Sequence, residues 1–588
     1  MSLEGGAVST IGDNRGRSAR LWLLEAAAVL IVLSMSLIIF FRAIVASGFT
    51  TYFGDSYDGL IEISVLQHWH NVAAFGNQMS VTEYFYPYKD SIGYNDTYLI
   101  PGLFFTLGRL FGADPFRAAL VSHVAMKAIG FLGMYALLRK GVGIRLAIAL
   151  AGAAIFTTAN ASLLHMHHAQ LLSAGFLPWL ALLLLMFGKA LIAQNHRRVV
   201  MTGCGFAVLF GLTALNSFYA AWFFAFFTML ATLVGLAVIG AANRRQWFFS
   251  ICSCRTPLAL VFVAAVVSMA PLILVYLPKI ADGAHHDWAT DTARFLIAPS
   301  SLINVGVGNL VWGQALNEAM RGLTGHPMAG GEARFGFPLG LLVTAVMGTI
   351  WAARRRPIMP LPFALGFALE IAIILMLKSP GDYSLWRLIY EIFPGANAIR
   401  VVSRFLLFAV TPVVVIVCSW LDGARLPKWA LIAIVVFLLI EEIQLAPPLM
   451  LNRARELAML DAAGAPPAEC RAFFVVSARS DIDSARSEAR DISRAWNGEP
   501  ATMLFDNYRH NVDAMFIASY RNVPTINGFS TFNPPDWEFS HSDAPDYLER
   551  IARYARRHGL TALCGLDVRR RPRWFHFDLR RRPTEIRR

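Results

Sequence analysis

Apolar residues run in long unbroken stretches along most of this chain, and the polar residues fall between them. Stretches of roughly 18 or more apolar residues are long enough to cross a bilayer as helices. They occupy residues 21–41, 116–138, 144–163, 170–192, 199–214, 218–241, 256–277, 336–353, 358–377, 403–421 and 428–447, which predicts about eleven transmembrane helices. Segment 99–112, LIPGLFFTLGRLFG, is too short to cross and reads as a re-entrant or interfacial helix. The first run, about 20 residues from Leu21 to Phe41, is longer than the apolar core of a cleavable signal and is followed by further spans, so it reads as a signal anchor.

Beyond residue 448 the pattern changes. Strand-like runs (RAFFVVS, ATMLF, LTALCGLDV) alternate with helical ones (YRHNVDAMFIASYR, APDYLERIARYARRH). The last stretch, about 140 residues, has the length of an independent domain. The predicted fold class is an α-helical polytopic membrane protein with a small C-terminal α/β domain. It comprises an N-terminal tail 1–20, a transmembrane module 21–448 and a C-terminal domain 449–588.

Composition agrees with the pattern: 56% of the 588 residues are hydrophobic and 15% charged, against about 25% charged in a soluble chain. The net charge of +13 could suggest a nucleic-acid partner, but the positions of the cations argue against one. Alternate junctions carry Arg15, Arg17 and Arg20, then Arg139, Lys140 and Arg145, then Lys189, Arg197 and Arg198. They continue with Arg244, Arg245 and Arg255, with Arg354, Arg355 and Arg356, and with Arg425 and Lys428. This is the bias of cytoplasmic loops, with Arg42 a mild exception. The N-terminus is therefore expected inside the cell and everything after about residue 446 outside. The basic tail DVRRRPRWFHFDLRRRPTEIRR then lies away from the cytoplasm, and nucleic acid is excluded as its partner.

The unusual chemistry collects on the other face, in loops 43–115, 278–335 and 378–402 and in HMHHAQ. Directly after the first span, YFGDSYDGLIE presents Asp55, Asp58 and Glu62 at i, i+3 and i+7, one face of a helix. Acids so close can make a general base or clamp a divalent metal. Equally, Asp55 can be a helix N-cap in a solvated first turn. Downstream, Tyr84, Phe85, Tyr86, Tyr88, Tyr94 and Tyr98 crowd together. They suit an interfacial aromatic belt or a surface on which sugar rings or a lipid neck stack. His165, His167 and His168 share a very short loop, and His285 and His286 with Asp287 and Asp291 lie on the same side. Each group reads either as substrate or metal contacts or as a polar loop. PGANAIRVVSRF brings Arg400 and Arg404 to the end of a span, four residues apart. An arginine at that depth needs an anion, for which a lipid phosphate suits its fork, or else it snorkels to the headgroups.

The six cysteines show no zinc-site spacing, and Cys252 and Cys254 lack further ligands nearby. Cys470 and Cys564 both sit in strand-like runs of the predicted outer domain, where a disulfide between them is expected.

An acid-bearing loop straight after the first span, together with HHAQLLSAGFLPWLALLLL, EARFGFPLGLLV and FPGANAIRVVSRF, resembles the GT-C superfamily of membrane glycosyltransferases over roughly residues 20–450. It resembles in particular the bacterial branch related to proteins that glycosylate lipoteichoic acid and other envelope polymers. HNVDAMFIASYRNVPTINGFSTFNPPDW is similar to tails of other members of that group. The resemblance implies a polyprenyl-phosphate-linked sugar donor, an envelope glycan, lipid or polymer acceptor, and inverting transfer at the outer face of the bacterial inner membrane. The family's first-loop acid maps onto Asp55, with Asp58 second, as general base. Arg400 and Arg404 would hold the donor phosphate. From the residue pattern itself, Glu62, Tyr84, Tyr86, Tyr88, His165, His167, His168, His285 and His286 are candidate substrate contacts. A complete Asp-x-Asp metal motif is not matched, so a divalent metal stays open as a cofactor. The alternative is a transporter or flippase of a lipid-linked glycan. Transporters place ionisable groups at mid-membrane and carry repeats, whereas here the polar residues gather on one face.

Overall fold

The computed structural model describes residues 7–355, 360–446, 448–477, 502–569 and 572–579. Among these, eight helices are long and apolar enough to cross a membrane: Arg20–Phe40, Pro115–Val142, Leu146–Leu164, Ala169–Ile192, His196–Asn216, Phe218–Val238, Arg255–Ala281 and Val402–Gly423. Three further runs form shorter apolar helices, Leu339–Arg354, Pro360–Met376 and Lys428–Ile440. The eleven runs of the sequence are thus all helical, and the chain is a helical polytopic membrane protein. Leu99–Leu110, too short to span, is a helix with Leu103, Leu107, Leu110 and Phe111 exposed along one side.

The helix Phe405–Gly423 is the centre of the bundle. Every residue from Phe405 to Leu421 is buried, as expected of a helix that is apolar all round. The span Leu146–Leu164 breaks at Ala159, where φ and ψ are −45° and 122°. Two charged side chains satisfy the backbone groups released there. Lys127 Nζ donates to Thr157 O at 3.1 Å and to Ser162 Oγ at 2.6 Å, and Glu442 Oε2 accepts from Asn160 N at 2.6 Å. A cation at the end of one helical segment and an anion at the start of the next match their dipoles. This break aims the histidine segment that follows.

The C-terminal region shares its core with the first loop. Strand β1 (Thr51–Phe53) pairs antiparallel with β2 (Met450–Asn452), Tyr52 opposite Leu451. A second sheet has the order β3 (Ala472–Ser477), β4 (Leu563–Asp567), β5 (Arg573–His576), parallel then antiparallel. One apolar cluster joins Tyr52, Leu60, Tyr84 and Phe105 to Phe473, Phe516, Ile551 and Leu566; full burial of each such side chain contributes about 1.5–3 kcal/mol. The helix Tyr547–Arg557 shows how the pattern works. Leu548, Ile551, Ala552 and Ala555 face this core, while Arg553, Arg556 and Arg557 face out. ATMLF is expected as a strand; its residues 502–505 instead open the helix Thr502–Arg521, continuous with YRHNVDAMFIASYR, and Ala501 lies outside the described residues. A disulfide joins Cys470 to Cys564, with Cα atoms 5.7 Å apart.

Candidate functional site

Four segments far apart in sequence meet at the face that carries the C-terminal region. Asp58 Oδ2 lies 3.2 Å from His168 Nδ1, and His168 Nε2 lies 3.0 Å from Glu332 Oε1. Arg404 closes the chain, its guanidinium donating to both Glu332 oxygens. Burial alone would raise the Glu332 carboxyl; Arg404 and His168 beside it hold it well below the usual carboxylate range. The two ends differ in exposure: the Asp58 side chain is 42% exposed and Arg404 6%, with His168 and Glu332 between them at 13% and 15%. The chain runs from an accessible carboxylate to a buried guanidinium.

Local structure fixes each member. Asp58 is the first residue of the helix Asp58–Phe75, set by a turn that only glycines permit. Gly54 has φ +134°, and a Cβ on Gly54 or Gly59 would meet the other's Cα at 2.8 Å. Arg509 from the C-terminal region braces this turn by donating to Ser56 Oγ. His168 closes a turn onto His165 O, 2.9 Å away. Glu332 sits in the short turn Gly331–Ala333, whose Glu332 carbonyl accepts from Ser403 Oγ at 2.9 Å. Arg404 stacks over the Tyr219 ring, 5.4 Å from its centre.

A second layer surrounds this chain. Asp96 Oδ1 accepts from Phe218 N at 3.1 Å, and burial pushes the Asp96 carboxyl up to about 6. Tyr98 adopts φ +51°, a left-handed conformation costing about 1–3 kcal/mol, and donates to Gln170 Oε1 at 2.7 Å. His165 stacks on Phe335 with ring centres 3.6 Å apart, and its Nδ1 is 2.9 Å from Ala161 O. Burial lowers His165 to about 3 and His286 to about 4, so both imidazoles are neutral at pH 7. His286 packs on Phe532 of the C-terminal region, ring centres 4.7 Å apart.

Several residues expected at the site do other work. Asp55 precedes the helix, so it cannot share a helical face with Asp58 and Glu62. Its Oδ1 accepts from Tyr57 N at 3.0 Å and Gly59 N at 3.4 Å, bracing the turn that leads into the helix; the N-cap position itself is Tyr57. Glu62 points into the core, where it meets His123 Nε2 at 2.6 Å and the Tyr52 hydroxyl at 3.0 Å. Several of the loop's tyrosines lie where the loop meets the C-terminal region. Tyr84 is fully buried, Tyr86 O accepts from Tyr554 OH at 2.9 Å, and Tyr88 OH donates to Asp536. His285 is exposed. His167 is buried between His165 and His168. Arg400 lies before the helix that Arg404 leads into, so the pair does not form one helical face. Arg400 rests over Phe295, 5.6 Å from the ring centre, and its N–H donates to Tyr219 OH at 2.8 Å.

Glu332, Asp96 and Arg334 were not singled out by sequence pattern. A signal for the first existed: Arg404 demanded an anion, and EARFGFPLGLLV opens on one. Among the described residues, no group of three or more His, Cys, Asp and Glu side chains is arranged to hold a metal ion.

No protein-family model matches the chain, and no curated protein matches it. Among solved structures it is similar to the single-particle cryo-EM structure of the arabinofuranosyltransferase AftD from Mycobacteria, with a TM-score of 0.45 and 15% identity. The likeness covers 76% of this chain and 29% of that one, so the chain spans less than a third of its neighbour's length.

Proposed function

We propose that the chain is an inverting membrane glycosyltransferase, moving a sugar from a polyprenyl-phosphate donor to an envelope glycan, lipid or polymer acceptor outside the bacterial inner membrane. The observation that carries this reading is the Asp58–His168–Glu332–Arg404 chain. It supplies an accessible carboxylate, an imidazole that orients it and a buried charge pair that anchors the imidazole, the logic of a base held by further groups. Asp58 takes the proton of the acceptor hydroxyl. The acceptor oxygen bonds to the anomeric carbon from the face opposite the phosphate. The carbon–oxygen bond to phosphate breaks, and its electron pair leaves with the polyprenyl phosphate. Arg404, committed to Glu332, acts as a positioning residue, while Arg400 is left to approach the donor phosphate. Asp55 gives up the role of base to Asp58, because its oxygen serves the turn.

The test is transfer by the purified chain in liposomes. Polyprenyl-phosphate sugars are offered with envelope acceptors, and released polyprenyl phosphate is counted. Release that needs both acceptor and Asp58 supports the reading. Movement of intact lipid-linked sugar across the bilayer without release would replace it with the flippase alternative.

A further inference from the structure

We propose that Arg334, together with His167, is a receptor for a phosphate anion beside the Asp58–Glu332 chain. The inference rests on the glycosyl-transfer reading only for which phosphate arrives, namely that of a lipid.

Arg334 is 9% exposed. A buried guanidinium is normally answered by a carboxylate, yet among the described residues none lies within ion-pair distance of Arg334. Its Nε donates only to the Gly331 carbonyl, at a long 3.4 Å. The adjacent acid, Glu332, is already shared between Arg404 and His168. Asp58 pairs with His168 and Glu332 with Arg404 and His168, so Arg334 is left without a carboxylate of its own among the described residues. Burial draws Arg334 down to about 10, with attraction from Glu332 the only opposing influence. It remains a cation at neutral pH.

His167 supplies an independent sign of the same ligand. It is 8% exposed, and its Nδ1 is buried with no hydrogen-bond partner among the described residues. Arg334 Nε and His165 Nε2 both approach the Gly331 carbonyl, each at 3.4 Å, and the His167 ring centre lies 6.0 Å from that of His165, which places Arg334 and His167 on either side of one imidazole. The surroundings are rigid. Phe335, the next residue, is stacked on His165, and the helix Leu339–Arg354 begins five residues after Arg334. That helix is one of the shorter apolar ones, so Arg334 stands just before an apolar segment. A guanidinium fork beside an imidazole N–H matches the oxygens of a phosphate, while a neutral ligand would leave the buried charge unanswered.

The probes are decyl phosphate, inorganic phosphate and decanol, titrated into the detergent-solubilised full chain by calorimetry. Decyl phosphate is expected to bind and decanol not to. Arg334→Met should weaken decyl phosphate at least tenfold and His167→Phe about threefold to tenfold, with Arg334→Lys in between. Inorganic phosphate binding as tightly as decyl phosphate would make the site a free-phosphate receptor, and a tenfold preference for decyl phosphate a lipid-phosphate one; both support the proposal. Unchanged binding in Arg334→Met, or in Arg334→Lys if the former does not fold, overturns it. So does equal binding of decanol. Unchanged phosphate binding in Arg334→Met, in a chain that transfers sugar, removes this receptor and leaves the glycosyltransferase reading standing. Phosphate binding lost in Arg334→Met, in a chain that transfers no sugar, does the reverse.

Discussion

His168 Nδ1 lies 3.2 Å from Asp58 Oδ2, although the two belong to different loops. A neutral imidazole can donate to only one of the two carboxylates that flank His168, while an imidazolium donates to both. The ring is thus the point at which the exposed acid is coupled to the buried pair.

This separates the two neighbouring aspartates. Asp58→Asn keeps the shape and removes the base, so turnover should fall by about two to four orders of magnitude. Asp55→Asn should be nearly silent, because the amide oxygen of Asn can accept the same bonds from Tyr57 N and Gly59 N. Release of polyprenyl phosphate by the two variants, at equal protein levels, decides between them. A reversed order would return the role of base to Asp55.

Glu332→Gln leaves Arg404 buried without its counter-ion and should destabilise the chain by about 3–5 kcal/mol. Glu332→Gln combined with Arg404→Met removes both charges and should regain most of that loss. Thermal unfolding in detergent measures the cycle. Additive losses would show that the pair is not coupled.

The spans were legible because a membrane helix is written in consecutive residues, down to the short runs 336–353, 358–377 and 428–447. The site was not, because its pairings cross the fold. Glu332 finds Arg404, Glu62 finds His123 on another helix, and Tyr88 finds Asp536 in the C-terminal region. The helical spacing of Asp55, Asp58 and Glu62 misled because the helix starts only at Asp58, and the shared face never exists. Arg404 was readable as a charge in need of an anion, but not which anion it would find.

Asp96 gives a signature in pH. Its folded value of about 6 lies above the unfolded value of about 3.9. The folded state therefore binds more protons between those values, and this contribution to stability falls as pH rises through that window. Asp96→Asn should abolish that slope, read as the unfolding midpoint at a series of pH values from about 3.5 to 7. An unchanged slope would show that Asp96 is not the titrating group.

Reduction of the Cys470–Cys564 bridge releases a long loop and should cost about 2–4 kcal/mol. Cys470→Ser with Cys564→Ser should accordingly make the C-terminal region sensitive to protease while the spans remain protected. Equal resistance with and without reductant would contradict this.

The pairing of β1 with β2 also imposes an order on how the protein is made. Thr51–Phe53 leaves the ribosome early, whereas its partner Met450–Asn452 follows only after the last apolar helix. Until then the first loop has no second strand, and Arg509, which braces the Asp55–Asp58 turn, comes later still. Insertion into the bilayer can thus run nearly to completion with the carboxylate still loosely held. The final segment acts as a maturation step: a chain cut short after its last span would be fully inserted, and inert.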